Sequence, residues 1–216
     1  MNMVDAQSQR ALKLLKDYFD KGRREVFERR QTILGYDAAP ENVYLIKSGC
    51  VKVSSYTSSG NERIHYIYKK DEIFPVTLVF PGKLIDPTFI AFTRVTLKSR
   101  LIKEFRKFII DEPLALRTIV DQQMEVFDRV FNLNIVITEQ RVADRLLTLG
   151  ERFGDKEEGR FVIKFPLTIK ELADMVNLSR ETTGRILKKF EERGLVIIGR
   201  QNIVIYPDKL SRIIDK

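Results

Sequence analysis

The sequence is poor in the residues that metal centres and redox sites use. Its 216 residues include one cysteine, Cys50, and one histidine, His65. An iron–sulfur cluster held by cysteines needs four thiolates, so one subunit cannot build such a cluster. A lone histidine in a strand is more often packed or solvated than bound to haem. These counts predict no cofactor, no metal and no disulfide framework.

Long apolar runs and catalytic motifs are also absent. No apolar segment is long enough to cross a membrane, and residues 1–5 lack the regions of a signal peptide. We therefore expect a cytoplasmic protein without a membrane partner. The sequence has no glycine-rich phosphate loop, no nucleophile elbow, and no histidine beside a serine or the cysteine in a recognised motif. The protein is predicted not to be an enzyme.

Basic residues are in excess, with 38 lysines and arginines against 30 acidic residues and a formal net charge of +8. Such a charge favours polyanionic partners. The excess is spread along the chain. Residues 138–216 carry 16 basic and 13 acidic residues, a net charge of +3, which leaves +5 for residues 1–137. A prediction of DNA binding must therefore depend on where individual residues lie.

The C-terminal part has the pattern of two helices joined by a tight turn. Thr168 and Glu171 have the spacing of a capping box, which begins the first helix. Asn177 can adopt the left-handed conformation that ends a helix, and Ser179 can cap the next one. The sequence predicts a helix-turn-helix here.

An amphipathic helix is predicted ahead of this motif, over residues 138–153. Its inward residues are Val142, Leu146 and Leu149, and Gly154 is expected to begin a charged loop.

The second helix carries side chains that can read bases. Arg180 and Arg185 can each donate two hydrogen bonds to guanine, and Glu181 can accept one from cytosine. Ile186 and Phe190 lie one turn apart on the packing face. After Gly194, residues 195–198 and 203–206 are typical of two strands joined by a turn at 199–202. That hairpin is predicted to be the wing of a winged helix-turn-helix, which places a helix in the major groove.

Residues 179–187, Ser-Arg-Glu-Thr-Thr-Gly-Arg-Ile-Leu, closely resemble the reading motif of the Crp/Fnr family of bacterial transcription regulators. Thr183 replaces a commoner valine. The resemblance implies an inverted repeat of TGTGA-like half-sites, and RNA polymerase as a further partner. It assigns base contacts to Arg180, Glu181 and Arg185, and phosphate contacts to Thr168, Ser179 and Thr182. Lys188, on the exposed side of the same helix, is expected to contact the DNA backbone.

The N-terminal half is predicted to be a small β domain behind a lead-in helix. Leu12, Leu15 and Phe19 form one apolar stripe of that helix. The clearest strands are residues 43–46, 51–53 and 64–68, with a hairpin turn at 58–61. This succession, with Gly49 before an outgoing strand, resembles the cyclic-nucleotide-binding β-roll.

The residues that would bind a cyclic nucleotide are replaced. Pro75 and Val76 stand where the family's nucleotide-binding members carry a glycine and a glutamate. Proline has no amide hydrogen for a phosphate, and valine cannot accept from a ribose hydroxyl. We therefore expect a regulator that acts without cyclic AMP, with Glu72 as a solvated turn residue. The sequence does not identify another effector.

A long helix between the halves is predicted to form the homodimer. It begins near Pro113, which suits a first helical turn. The predicted coiled-coil seam comprises Leu116, Ile119, Gln123, Val126, Val130, Leu133 and Ile137. Val120, Met124, Phe127 and Phe131 form a second apolar stripe, so that one stripe can face a partner and the other the β domain. A single buried helix without a partner is the alternative.

These features predict an α+β protein with a β-roll domain over residues 1–110, a dimerisation helix over 111–137 and a winged helix-turn-helix over 138–216. The function they favour is that of a homodimeric DNA-binding transcription regulator. Two alternatives remain: a sensing or protein-interaction module whose winged helix does not read DNA, and a regulator that depends on an unidentified small molecule.

Overall fold

The computed structural model describes residues 3–36, 38–79, 87–131, 137–199 and 201–214. The chain forms two compact units. The first comprises Met1–Ser55 and His65–Val130, and the second comprises Tyr56–Ile64 and Phe131–Lys216. Both helices and antiparallel sheets are present, and the α+β class is confirmed. In the part of the chain that the structure describes, no helix is both long and apolar enough to cross a membrane.

The N-terminal elements build two four-stranded sheets, in the orders β1-β8-β3-β6 and β2-β7-β4-β5. The elements are α1 (Met3–Asp20), β1 (Arg23–Phe27), β2 (Thr32–Leu34), β3 (Asn42–Ser48), β4 (Val51–Tyr56), β5 (Glu62–Tyr68), β6 (Ile73–Phe74), a 3-10 turn (Val76–Leu78), β7 (Thr88–Ala91), β8 (Val95–Leu101), α2 (Ile102–Asp111) and α3 (Pro113–Phe131). The three predicted strands are confirmed as β3, β4 and β5. The predicted turn is confirmed by Gly60, whose φ is +79° and whose N–H donates to the Thr57 carbonyl.

Helices α1, α2 and α3 share one apolar core with strand β3. Its buried side chains include Leu15, Phe19, Val43, Leu45, Ile102, Phe105, Ile109, Ala115 and Ile119. The sequence did not predict α2. Strand β8 continues directly into it at Leu101, which makes no side-chain capping bond. Without a capping side chain, the start of this helix has no local signal.

The C-terminal elements are α4 (Thr138–Phe153), β9 (Gly154–Glu157), β10 (Arg160–Ile163), α5 (Ile169–Val176), α6 (Arg180–Glu192), β11 (Val196–Ile198), β12 (Ile203–Ile205) and α7 (Pro207–Ile214). The strands form one sheet in the order β11-β12-β10-β9. Helix α4 has its predicted bounds, and Val142, Leu146 and Leu149 are buried as predicted.

The prediction that a loop follows Gly154 was wrong, because Gly154 begins β9 and pairs with Ile163 of β10. Strand β9 lies at the edge of the sheet, and three of its four residues are charged. Such a strand lacks the apolar alternation by which half-buried strands are predicted.

Candidate nucleic-acid interface

Helix α5 begins and ends at the residues that the sequence indicated. The Thr168 hydroxyl accepts from the Glu171 N–H at 3.1 Å, and the Glu171 carboxylate accepts from the Thr168 N–H at 2.8 Å. Asn177 has φ 54° and ψ 50°, the left-handed conformation expected at the end of the helix. The capping box and the turn are therefore confirmed, and together they fix where the next helix starts.

Helix α6 is capped at both ends by its own chain. At the start, the Ser179 hydroxyl oxygen accepts from the Thr182 N–H at 3.1 Å. At the end, Gly194 has φ +64°, its N–H donates to the Glu191 carbonyl, and the Leu195 N–H donates to the Phe190 carbonyl, both at 2.9 Å. This pair of bonds is a Schellman motif. The helix is thus defined over 13 residues, a length of about 20 Å.

The two faces of α6 differ sharply in burial. Thr183, Ile186, Leu187 and Phe190 are buried. Arg180, Glu181, Arg185 and Lys188 are all exposed on the outer side. The structure therefore places the three predicted base readers on one exposed, capped helix, within its first two turns.

The Glu181 carboxyl is held in its charged form. Its own backbone N–H lowers its pKa below the ordinary value of 4.5, and the charge of Arg180 acts in the same direction. An ionised carboxylate only accepts hydrogen bonds, as contact with the amino group of cytosine requires.

The three predicted phosphate-binding hydroxyls are not equivalent. The Thr168 hydroxyl donates to the Glu171 carboxylate at 2.8 Å, and the Ser179 hydroxyl donates to Thr182 Oγ1 at 3.0 Å. Both hydrogens are therefore occupied within the protein. Thr182 accepts from Ser179 and keeps its own hydroxyl hydrogen for an external acceptor, so it is better placed than the other two to donate to a phosphate.

Gly184 leaves space between Arg180 and Lys188 on one stripe of α6. A methyl group there would meet one neighbour, Ile169 Cγ2, at 4.0 Å, which is an ordinary contact. Packing within the protein therefore does not require glycine at this position. Its lack of a side chain does let the helix backbone approach another surface closely.

The predicted wing is confirmed as a hairpin of β11 and β12, with Val196 opposite Ile205. Its turn is closed by the Gly199 N–H, which donates to the Asn202 carbonyl at 2.9 Å; Arg200 lies outside the described residues. The Glu191 carboxylate accepts from the Ile198 N–H at 3.0 Å and joins α6 to the wing. Sequence reasoning missed this bond, because no spacing rule links a helix side chain to a strand amide.

The predicted dimer seam on α3 needs correction. Ile119 is 3 % exposed in the core, and Val126 packs against the sheets of its own chain, so neither is on the free side of the helix. Leu116 and Ile137 are exposed, whereas the Gln123 side-chain nitrogen is buried. The side chain of Val130 and all of Leu133 lie outside the described residues.

The exposed stripe of α3 is the second apolar stripe. Val120, Met124 and Phe127 are 49 %, 54 % and 58 % exposed, and Leu116 continues the stripe at 38 %. Both stripes are apolar and helical in spacing, so periodicity could not decide which one faces inward.

The segment that would hold a cyclic nucleotide is used for packing. Val76 and Val79 are buried in the core shared with α2 and α3. Glu72 was predicted to be solvated, and this was wrong. It is 8 % exposed, and its carboxylate accepts from the Lys69 N–H at 2.9 Å and the Tyr66 hydroxyl at 3.4 Å. These hydrogen bonds to the turn and to a buried tyrosine hold the Glu72 carboxylate in the interior of the β domain.

Cys50 and His65 are placed among ordinary structural contacts. Cys50 is buried, and its backbone N–H donates to the Thr93 hydroxyl at 2.9 Å. His65 Nε2 lies 2.7 Å from the Ser55 hydroxyl. Among the residues that the structure describes, no three histidine, cysteine or acidic side chains are grouped so that they could hold a metal ion.

Two family models match the chain. A cyclic nucleotide-binding domain matches residues 24–111, and a Crp-like helix-turn-helix domain matches residues 140–213. The two matches occur in this order and together cover 162 of the 216 residues. The chain belongs to the Crp/Fnr family of transcription regulators.

Curated members of the family align over most of their length. The chain is 27 % identical to a CRP-like cAMP-activated global transcriptional regulator of Mycobacterium tuberculosis over 191 residues, 86 % of this chain and 85 % of that protein. It is 28 % identical to the global nitrogen regulator of Synechococcus elongatus over 198 residues, 87 % of this chain and 88 % of that protein. The predicted family is confirmed.

Solved structures of family members share the fold. FixK2 from Bradyrhizobium japonicum has a TM-score of 0.75 at 18 % identity and covers 88 % of this chain and 96 % of its own. A mutant of CooA from Carboxydothermus hydrogenoformans has the same TM-score at 17 % identity, over 91 % of this chain and 89 % of its own.

Proposed function

We propose that the protein binds, as a homodimer, an inverted repeat of TGTGA-like half-sites and regulates transcription without cyclic AMP. The observation that carries this proposal is the placement of Arg180, Glu181 and Arg185 on the exposed side of a helix that is capped at both ends. A rigid helix with two guanidinium groups and one carboxylate matches the hydrogen-bonding pattern of G·C pairs in the major groove.

Contacts to the DNA backbone would come from residues around the reading helix. Thr182 can donate a hydroxyl hydrogen, and Lys188 supplies a charge near the middle of the helix. The wing, joined to α6 through Glu191 and Ile198, would lie on the neighbouring phosphates. Such contacts fix position and orientation, while the three reading side chains select the sequence.

The exposed stripe of α3 supports the dimer. Four large apolar side chains on one helix face favour association with a second copy of the same face. A two-fold dimer would present two reading helices to half-sites about 34 Å apart, which explains an inverted repeat. RNA polymerase at the regulated promoter is the further partner we propose, and the bacterial cytoplasm is the compartment.

Independence from cyclic AMP is supported by Pro75 and Val76. Val76 is 8 % exposed and packs in the core, so it offers a ribose no hydrogen-bond acceptor. The Mycobacterium tuberculosis relative is described as cAMP-activated, and this chain is proposed to differ from it in that respect.

Selection of DNA from a random duplex pool tests the proposal. Purified protein without added ligand should enrich a two-fold symmetric, TGTGA-like site, and the same selection with cyclic AMP should return the same site. The salt concentration must be fixed, because contacts to phosphates weaken as it rises. Enrichment of no consensus, or of one only with cyclic AMP, would count against the proposal.

A further inference from the structure

Two hydrogen bonds join the dimer helix to a short strand of the β domain. The Gln122 side-chain oxygen accepts from the Ile73 N–H at 3.0 Å, and the Gln122 side-chain nitrogen donates to the Ile73 carbonyl at 2.8 Å. Gln122 lies on α3 and Ile73 on β6, 49 residues apart in sequence. A single side chain thus satisfies both backbone groups of one residue.

Strand β6 lacks a neighbouring strand on the side that faces Gln122. Strand β6 has two residues and forms the edge of the sheet β1-β8-β3-β6, with its other side paired to β3. Ile73 is 1 % exposed, so its N–H and carbonyl groups are beyond the reach of bulk water. The Gln122 amide has the same donor and acceptor as a strand peptide and takes the place of the missing neighbour.

The same contact fixes the rotation of α3. When Gln122 faces β6, Ile119 and Val126 point into the β domain, and Val120, Met124 and Phe127 point outward. The two stripes are chemically alike, so burial of apolar surface alone discriminates weakly between them. Hydrogen bonds are directional, and two bonds to one residue allow one rotation of the helix.

We propose that Gln122 is a positioning residue that selects the stripe of α3 presented to the partner subunit. A polar residue in an apolar helix face can set register in this way. The inference rests on the proposed dimer function. The Gln122–Ile73 hydrogen bonds, and not the residues of the exposed stripe itself, would determine which face of α3 contacts the second subunit.

Cross-linking at the exposed stripe tests the role of Gln122. Met124→Cys places a thiol on the stripe, while the native Cys50 is buried. When Met124→Cys is the only change (the wild-type background), a short bis-maleimide should join the two subunits through this residue. Adding Gln122→Leu removes both bonds, and the cross-linking yield should fall about tenfold, since two buried backbone groups lose their partner. Asp121→Asn, an exposed change on the same helix, is the matched control and should leave the yield unchanged.

A second variant separates positioning from folding. Gln122→Glu keeps the acceptor for the Ile73 N–H, but its ionised form opposes the Ile73 carbonyl, whereas its protonated form can donate to that carbonyl. Contact with the Ile73 carbonyl and partial burial disfavour the ionised form and raise the pKa of the introduced carboxyl. The dimer dissociation constant of this variant, relative to wild type at the same pH, should therefore be raised about tenfold near pH 8 and restored near pH 5. A general folding defect would show no such rescue.

The outcomes are distinct. Equal cross-linking in the wild-type and Gln122→Leu backgrounds, or a Gln122→Glu dimer that is insensitive to pH, would overturn the role of Gln122 and leave the proposed function intact. Absence of cross-linking in the wild-type background would contradict the dimer face itself, and with it both proposals.

Discussion

At Thr183, helix α6 carries a buried hydroxyl without a hydrogen-bond partner. The residue is 0 % exposed, and its Oγ1 contacts no donor or acceptor in the part of the chain that the structure describes. An unsatisfied buried hydroxyl is destabilising, and valine has nearly the same shape. Thr183→Val should therefore raise the free energy of unfolding by about 1 kcal/mol. Urea denaturation measures this, and Thr183→Ser, which keeps the hydroxyl and loses the methyl group, should instead be less stable than wild type.

The exposed side chains of the same helix should separate into two functional kinds. Arg180→Ala and Glu181→Ala should each cost about 1–3 kcal/mol of binding to the preferred half-site and relax base choice there. Lys188→Ala should weaken binding to every sequence to a similar degree and reduce its salt dependence. Titration of a panel of single-base variants checks this, and uniform losses from all three substitutions would argue against direct readout.

Single residues were the scale at which the sequence was most informative. The caps at Thr168, Ser179 and Gly194 and the turn at Asn177 were predicted because each depends on a local interaction between near neighbours in sequence. Glu72 and Glu191 were not predicted. Each carboxylate has a partner in another element, Tyr66 for Glu72 and Ile198 for Glu191, and no local pattern encodes these two contacts.

Among the elements, α6 contains a glycine that its own packing does not require. Gly184 lies in the middle of the helix, and alanine there meets no close neighbour. Gly184→Ala should therefore raise the free energy of unfolding by up to about 1 kcal/mol, because alanine is the better helix former. We expect the same change to weaken DNA binding, since the added methyl group would lie where the helix approaches the bases in the proposed complex. A variant that gains stability and binds DNA as tightly as wild type would show that the helix does not approach closely at this point.

Helix α2 and strand β9 are two elements that escaped prediction. Helix α2 follows β8 without a capping side chain, and β9 is a charged edge strand. Both are formed by tertiary contacts: α2 buries Ile102, Phe105 and Ile109, and β9 pairs with β10. The helical spacing of Ile102, Phe105 and Ile109 is a signal from which α2 could have been predicted, whereas the charged strand β9 has no apolar repeat.

For the whole molecule, the exposed stripe of α3 should decide assembly. Met124→Lys places a charge in the middle of the stripe, and we expect it to make the protein monomeric. Tight binding to a paired DNA site should then be abolished, because the second subunit supplies half of the contacts to the DNA. Ile110→Lys is the control, since Ile110 is also a large exposed apolar side chain, 69 % exposed, but belongs to α2 and not to the stripe of α3. Sedimentation velocity distinguishes the two, and a dimeric Met124→Lys variant would refute the assigned face.

The two caps of α6 have a consequence for how such a regulator can change its targets. The hydrogen bonds that define the helix come from Ser179, Gly194 and Leu195, and its packing comes from Ile186, Leu187 and Phe190. None of these groups is among the three proposed base readers. The outward positions can therefore accept new side chains with little loss of stability, and a duplicated copy of the gene could acquire a different operator by a few substitutions while its fold stays intact.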